Sequence, residues 1–211
     1  RRYEFHVYVP KKRITKINPR YEHWRSFIGS VPDIFEQEGK EIYNKRNLIK
    51  MLTAPDGTAV NVKRYHVPHG PNRLVYSWGI RKPKCQRAFD YPMILKNKGI
   101  ETPEPIAIIE ERSWLGLLGY SYLITMQCDY GHTLYEVGDA KAGTYETLAK
   151  ALAHFAAKIH NGNVLHKDFT PGNVLWKQDD EGFHFSLVDI NRMHFGQVSA
   201  KQGLYNLRKF W

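Results

Sequence analysis

The sequence predicts an α+β chain of two lobes, an N-terminal lobe built on an antiparallel sheet and a mainly helical C-terminal lobe with a reduced C-terminus. Three observations carry this. Short β-patterned runs separated by turn signals crowd the stretch from Glu41 to Met126. A long amphipathic helical pattern follows from Thr144 to Asn161. After it, two short strands joined by a polar turn flank a loop rich in Asp and Asn. The reading divides the chain into a basic N-terminal extension (1–38), a sheet lobe (39–126) and a C-terminal lobe (127–211), with the boundary in the stretch Gln127 to Gly131.

In the sheet lobe, EIYNKR, NLIKMLTA and AVNVKRYH read as strands, and Pro55-Asp56-Gly57-Thr58 between the last two is a hairpin signal. A helical stretch around Lys84 to Lys98 closes at Gly99. Thr102-Pro103-Glu104-Pro105 then leads into PIAIIEE and GYSYLITM, two more strands that complete a five-stranded sheet. In the C-terminal lobe, Leu148, Leu152, Phe155 and Ile159 recur at helical spacing and give one apolar face. Thr144 is the expected N-cap and Gly162 the expected C-cap. NVLHKDFTPGNVLW comes next, followed by the turn Asp179-Asp180-Glu181-Gly182 and the strand FHFSLVD. There is no internal repeat and no low-complexity segment.

With 211 residues, 42% of them hydrophobic, the chain is long enough to bury a sizeable core. Cys85 and Cys128 lack any CxxC or paired CxxH spacing, which excludes a disulfide framework and fits a reducing cytoplasm. No run approaches the roughly 18 to 20 apolar residues of a membrane span, and no signal-peptide pattern precedes the first strand. Lys and Arg number 31 against 21 Asp and Glu, an excess that favours polyanionic partners: nucleic acid, anionic lipid or phosphorylated sugar. The densest basic stretch is Lys11, Lys12, Arg13, Lys16, Arg20 and Arg25, for which a merely solvated face is an equal reading. His66 and His69 form an HxxH without a third ligand at suitable spacing and read as a polar loop.

The chemistry is concentrated in His166-Lys167-Asp168-Phe169-Thr170-Pro171-Gly172-Asn173 and, one hairpin later, Val188-Asp189-Ile190-Asn191. This is the H-x-D-x-x-x-x-N plus D-x-x pattern of kinase catalytic loops. Phosphoryl transfer asks the protein mainly to hold Mg²⁺ and the ATP phosphates and to align a hydroxyl. Asn173 and Asp189 offer the oxygens a hard cation requires, and Asp168 can face the incoming hydroxyl. Singly, Asp168 is a plausible turn residue and Asn173 a plausible cap. The helix before them, the strand after Asn173 and the strand ending at Asp189 are the context that a protein-kinase-like two-lobed fold demands.

Lys63 in VNVKRY is the candidate phosphate-binding lysine, with Arg64 on the opposite face of the strand. Its acidic partner is expected on the following helix, where Asp90 is the best candidate. Pro92 disfavours helix at Tyr91, so Asp90 is equally a cap for a helix beginning there. The loop expected to cover the nucleotide reads Asn44-Lys45-Arg46-Asn47 and has no glycine, so Lys45 and Arg46 would offer charge in place of close backbone approach. Met126 and Cys128, at the lobe boundary, complete the candidate nucleotide contacts.

At HKDFTPGNVLW, LVDINRMHFG, VNVKRYH and KNKGIETPEPIA the chain resembles the lipopolysaccharide kinase (Kdo/WaaP) family, from about Pro19 to the C-terminus. The resemblance implies ATP-dependent phosphorylation of Kdo or heptose sugars in the lipopolysaccharide inner core of a Gram-negative bacterium. It also implies a cytoplasmic protein, peripheral at the inner membrane. Asp168 would be the catalytic Asp, Asn173 and Asp189 the Mg²⁺ ligands, Lys63 the phosphate-binding lysine and Asp90 its partner. The expected partners are the core sugar or Kdo-lipid A and an anionic membrane surface, rather than nucleic acid. Thr170 stands where Ser/Thr protein kinases commonly carry a lysine, and no A-P-E sequence follows Asn191. The ending LYNLRKFW looks like the start of a helix, which suggests a chain continuing beyond Trp211. The competing readings are a RIO-like atypical protein kinase, against which Thr170, GIETPEP and DINRM argue, and a pseudokinase, against which the retained Lys63, Asp168, Asn173 and Asp189 argue.

Overall fold

A computed structural model describes residues 12–44, 47–138 and 140–210, so Lys11, Lys45 and Arg46 lie outside the described residues. The chain forms two compact units, one of Arg1–Phe89 with Pro105–Gln127, the other of Asp90–Glu104 with Cys128–Trp211.

The first unit is built on β1 (Lys12–Ile17), β2 (Lys40–Asn44), β3 (Leu48–Thr53), β4 (Ala59–Tyr65), β5 (Pro105–Arg112) and β6 (Leu118–Met126). They form one six-stranded sheet in the order β1-β5-β6-β4-β3-β2, antiparallel throughout. The β3–β4 hairpin closes where expected: Gly57 takes a positive φ of 89°, and the Asp56 carboxylate accepts from the Thr58 N–H at 3.0 Å. That bond holds the Asp56 carboxyl below its usual range. The sixth strand, β1, lies within the stretch read as a basic extension, and its KRITKI alternation makes a charged, exposed sheet edge.

Helix α1 (Arg25–Ile34) covers one face of this sheet. Ile28, Val31 and Phe35 are fully buried against Leu52, Val60, Val62 and Ile124. Beneath its end Lys50, buried on β3, donates to the carbonyls of Phe35 at 2.6 Å and of Glu36 and Glu38 at 3.2 Å. A buried ammonium is tolerated here because three acceptors meet it at the negative end of a helix. On β1, Arg13 pairs with both oxygens of Asp33, so part of that basic run is neutralised within the unit.

The opposite face carries Tyr65, Ile108 and Leu123 with Cys85, Ala88 and Phe89. These last three come from α3 (Lys84–Asn97), which follows the short α2 (Pro71–Ser77). Helix α3 runs unbroken through Pro92, so a helix starting near Tyr91 with Asp90 as its cap is not what forms. Proline costs one hydrogen bond, and the apolar positions on both sides of it, Ala88 and Phe89 before and Leu95 after, are buried and outweigh that loss.

The second unit contains β7 (His132–Thr133), α4 (Glu146–Asn161), β8 (Val164–His166), β9 (Val174–Asp179), β10 (Gly182–Leu187), β11 (Met193–Phe195) and α5 (Ala200–Asn206). Helix α4 starts one residue later than expected, with Tyr145 at its N-cap, and ends at Gly162 as expected. Leu148, Ala156 and Ile159 enter a core with Phe169, Val174, Leu187 and Ile190, to which Leu95 and Ile100 also belong. The segment after α3 is tied to the end of β10, where Leu187 N–H donates to Glu101 O at 2.9 Å and Thr102 Oγ1 donates to Leu187 O at 2.7 Å.

Candidate active site

Two antiparallel strand pairs, one of them a hairpin, assemble the site in the second unit. Strands β8 and β11 pair antiparallel with Met193 opposite His166, and β9 and β10 pair with Leu187 opposite Val174. The loop leaving β8 and the loop leaving β10 therefore run side by side. Lys167 N–H donates to Arg192 O at 2.9 Å, and Val188 N–H donates to Asn173 O at 3.0 Å.

His166 is fully buried at the hinge of this arrangement. Its Nδ1 accepts from the Asp168 N–H at 3.1 Å, so its proton sits on Nε2, which faces Val188 O at 3.1 Å. Burial lowers its pKa from 6.5, which keeps the ring neutral and the acceptor at Nδ1 available. Asn206 at the end of α5 donates to the His166 carbonyl at 2.8 Å and lies 3.1 Å from His160 Nε2 on α4. Gly203 lets α5 come this close, because a Cβ there would stand 2.9 Å from His160 Nδ1.

The carboxylate of Asp168 meets Arg192 Nη1 at 3.0 and 3.2 Å. Asn173 follows a turn at Pro171–Asn173, where Gly172 leaves the room that the Tyr135 ring takes up. The Asn173 NH₂ donates to Asp168 O at 2.8 Å, so the atom it has to offer a cation is Oδ1. Asp189 holds a left-handed backbone, φ 54°, rare for a residue with a side chain and typical of functional positions. The side chain of the buried Asn191 donates to Asp189 Oδ1 at 2.7 Å and fixes the carboxylate's orientation.

Asp168, Asn173 and Asp189 are thus brought together within one unit. Lys63 lies in the other unit on β4, opposite Ile49 and Leu123, with its ammonium 5.2 Å from the centre of the Tyr65 ring. Arg64 turns to the α1 face and pairs with Glu36. Asp90 sits inside α3, partly buried. Met126 ends β6 opposite Val60. Cys128 is half-buried, and burial raises its thiol pKa. Sequence reasoning gave no role to Arg192, Asn191 or Asn206. The first two stand inside the quoted DINRM, but a cation or amide after a candidate metal-ligand Asp carries no spacing rule that would single it out.

The sequence model of the Lipopolysaccharide kinase (Kdo/WaaP) family matches residues 39–210. The chain belongs to this family. It is accordingly a kinase of the lipopolysaccharide core, using ATP as phosphoryl donor. No curated protein matches the chain significantly. Among solved structures, "WaaP in complex with acyl carrier protein" is similar at 17% identity and a TM-score of 0.55, over 92% of this chain and 77% of that one. The Rio2 kinase of Chaetomium thermophilum, in an ADP/Mg²⁺-phosphoaspartate complex, is similar at 15% identity and a TM-score of 0.58, over 90% of this chain and 58% of that one. At these identities the likeness shows the fold, which is protein-kinase-like as the sequence predicts.

Proposed function

We propose that this Kdo/WaaP kinase transfers the γ-phosphoryl group of ATP to a hydroxyl of Kdo or heptose in the lipopolysaccharide inner core, at the cytoplasmic face of the inner membrane. The observation that carries the reading is the lacing of the two loops, in which the Asn173 side chain donates to the Asp168 backbone carbonyl and the Asn173 carbonyl accepts from the N–H of Val188, the residue before Asp189.

In this reading Asp168 accepts the proton of the attacking hydroxyl as the new O–P bond forms and ADP leaves. Arg192 holds that carboxylate in one orientation. Asp189 and Asn173 Oδ1 would hold Mg²⁺, which when bound neutralises phosphate charge and fixes the phosphates. The donor set fits: one carboxylate and one amide oxygen, both hard, each oriented by a neighbouring bond. Lys63 is assigned to the nucleotide phosphates with Asp90 as its partner, and Met126, Cys128, Lys45 and Arg46 are further candidate nucleotide contacts.

The membrane-peripheral part of the reading is supported by the net charge of +10. Incubation with ATP, Mg²⁺ and Kdo-lipid A, or with heptose-extended Kdo-lipid A, followed by mass spectrometry of the lipid, tests the function. One added phosphate on either lipid is the expected result. ATP consumption with neither lipid modified overturns the acceptor assignment. Because the similar WaaP structure is a complex with acyl carrier protein, the assay is run with and without that protein.

A further inference from the structure

We propose that the loop tips around Trp78 and Trp114 form a surface that inserts into the headgroup region of an anionic bilayer. The proposal rests on the membrane-peripheral reading above and says which surface makes the contact.

Trp114 and Leu115 are the central residues of the β5–β6 turn, closed by Ser113 N–H to Leu117 O and Gly116 N–H to Ser113 O, both 2.9 Å. They are 73% and 60% exposed. Trp78 and Ile80 flank Gly79 just after α2 and are 68% and 72% exposed. Turn tips ordinarily carry Gly, Asn, Asp or Ser, for backbone reasons that Trp, Leu and Ile do not serve. Folding buries only the smaller part of these four side chains, and an exposed apolar cluster of this kind marks an interaction site.

The two tips are held as one surface. Arg112 Nη1 donates to Ser77 O at 3.2 Å and to Gly116 O at 3.0 Å, and the Leu118 N–H donates to Ser77 Oγ at 2.8 Å. Lys12 and Ile14 of β1 line the same groove as Trp114.

The charge around the cluster selects the occupant. Between Pro71 and Phe89 the chain carries Arg73, Arg81, Lys82, Lys84 and Arg87 and no acidic residue, while Arg112 at the base of the other tip is paired with Glu110 at 2.7 Å and adds no net charge there. Arg81, Lys82 and Lys84 are exposed beside Trp78 and Ile80. Tryptophan with an apolar body and a polar edge, set among lysine and arginine, matches the interface of a bilayer bearing anionic headgroups. Within the N-terminal basic run Lys12 shares this groove, whereas Arg13 is paired with Asp33 and Lys16 lies over the Phe89 ring at 4.8 Å.

The test is co-sedimentation of the full chain with phosphatidylethanolamine/phosphatidylglycerol vesicles and with phosphatidylcholine vesicles, alongside tryptophan quenching by brominated lipid. The protein is expected to bind the anionic vesicles, with quenching that disappears in the Trp78→Phe/Trp114→Phe variant. Trp78→Ser/Trp114→Ser should weaken binding about tenfold or more, and Arg81→Glu/Lys82→Glu should weaken it on anionic vesicles, both with ATP binding unchanged. If the parent ignores both vesicle types, or binds acyl carrier protein but no lipid, this surface and the membrane reading fail together. If the parent binds and the serine variant binds equally, without quenching, the surface is wrong and the membrane reading stands.

Discussion

Arg192 reaches both carboxylate oxygens of Asp168 through a single nitrogen, Nη1, at 3.0 and 3.2 Å. The backbone of the same residue accepts from Lys167 N–H, so β11 positions the guanidinium and the loop together. Freeing the carboxylate would let it turn among several rotamers, only some of them facing a hydroxyl. Arg192→Ala is expected to lower kcat by about 10- to 100-fold, part of the range for a positioned general base, with little change in KM for ATP. Arg192→Lys should restore part of the loss, since a point charge can still hold the carboxylate. Steady-state kinetics of the two variants check this, and equal losses in both kcat and ATP affinity would contradict a positioning role.

Metal dependence separates Asp189 from Asn173. Asp189→Asn removes a charged oxygen ligand and Asn173→Ala a neutral one, so both should raise the Mg²⁺ concentration for half-maximal activity, Asp189→Asn more. Asn173→Ala also removes the bond to Asp168 O and should therefore lower kcat at saturating Mg²⁺. Titration of Mg²⁺ against rate reads both effects.

The buried neutral His166 gives folding a defined pH dependence. Its folded pKa lies below 6.5, so the unfolded chain takes up a proton that the folded chain resists. The stability is fully present above about 6.5 and is lost as pH falls from there toward the lowered folded value, with a slope of at most about 1.4 kcal/mol per pH unit. Urea unfolding at steps from neutral pH down to pH 5 should show this slope. His166→Gln should flatten it, while the paired Asp33 and Asp179, whose carboxyls are held low, act only in more acid solution.

Lys50 should matter to stability beyond its length of chain. Lys50→Met keeps the aliphatic stem but leaves the carbonyls of Phe35, Glu36 and Glu38 without the ammonium that now meets them. A loss of about 1–3 kcal/mol is expected, the scale for a buried acceptor such as Phe35 O stripped of its donor, the carbonyls of the exposed Glu36 and Glu38 being able to turn to water. Thermal unfolding measures it, with Lys40→Met on the exposed strand β2 as the neutral control.

The loop from His166 to Asn173 was legible as a candidate site because its spacing, a carboxylate, a turn and an amide oxygen, then a second carboxylate one hairpin away, is the one phosphoryl transfer asks for. Strands β3 to β6 were legible from alternation and from turn signals such as Asp56-Gly57. What escaped reading depends on tertiary contacts that no local pattern encodes. Strand β1 is hidden because Lys12, Arg13 and Lys16 look like a charge run rather than the outward face of an edge. Helix α1 contains Gly29 and Pro32, both poor helix formers, and exists because Ile28, Val31 and Phe35 are buried on the sheet. Helix α3 is legible over nearly its full length, and the sequence leaves open only its passage through Pro92, which the buried Ala88, Phe89 and Leu95 stabilise. Asn206 clamps the His166 carbonyl across 40 positions of sequence, a distance over which no motif operates.

The most direct measurement is phosphate incorporation into Kdo-lipid A by Asp168→Asn against the parent, with ATP and Mg²⁺ saturating and nucleotide binding measured in parallel. The Asn side chain keeps the shape of the loop but cannot take the hydroxyl proton. The account predicts a rate lower by roughly 10² or more, the scale of general-base catalysis, with nucleotide affinity nearly unchanged. A variant that phosphorylates the lipid within about threefold of the parent would contradict it, since a general base of ordinary strength contributes far more than that.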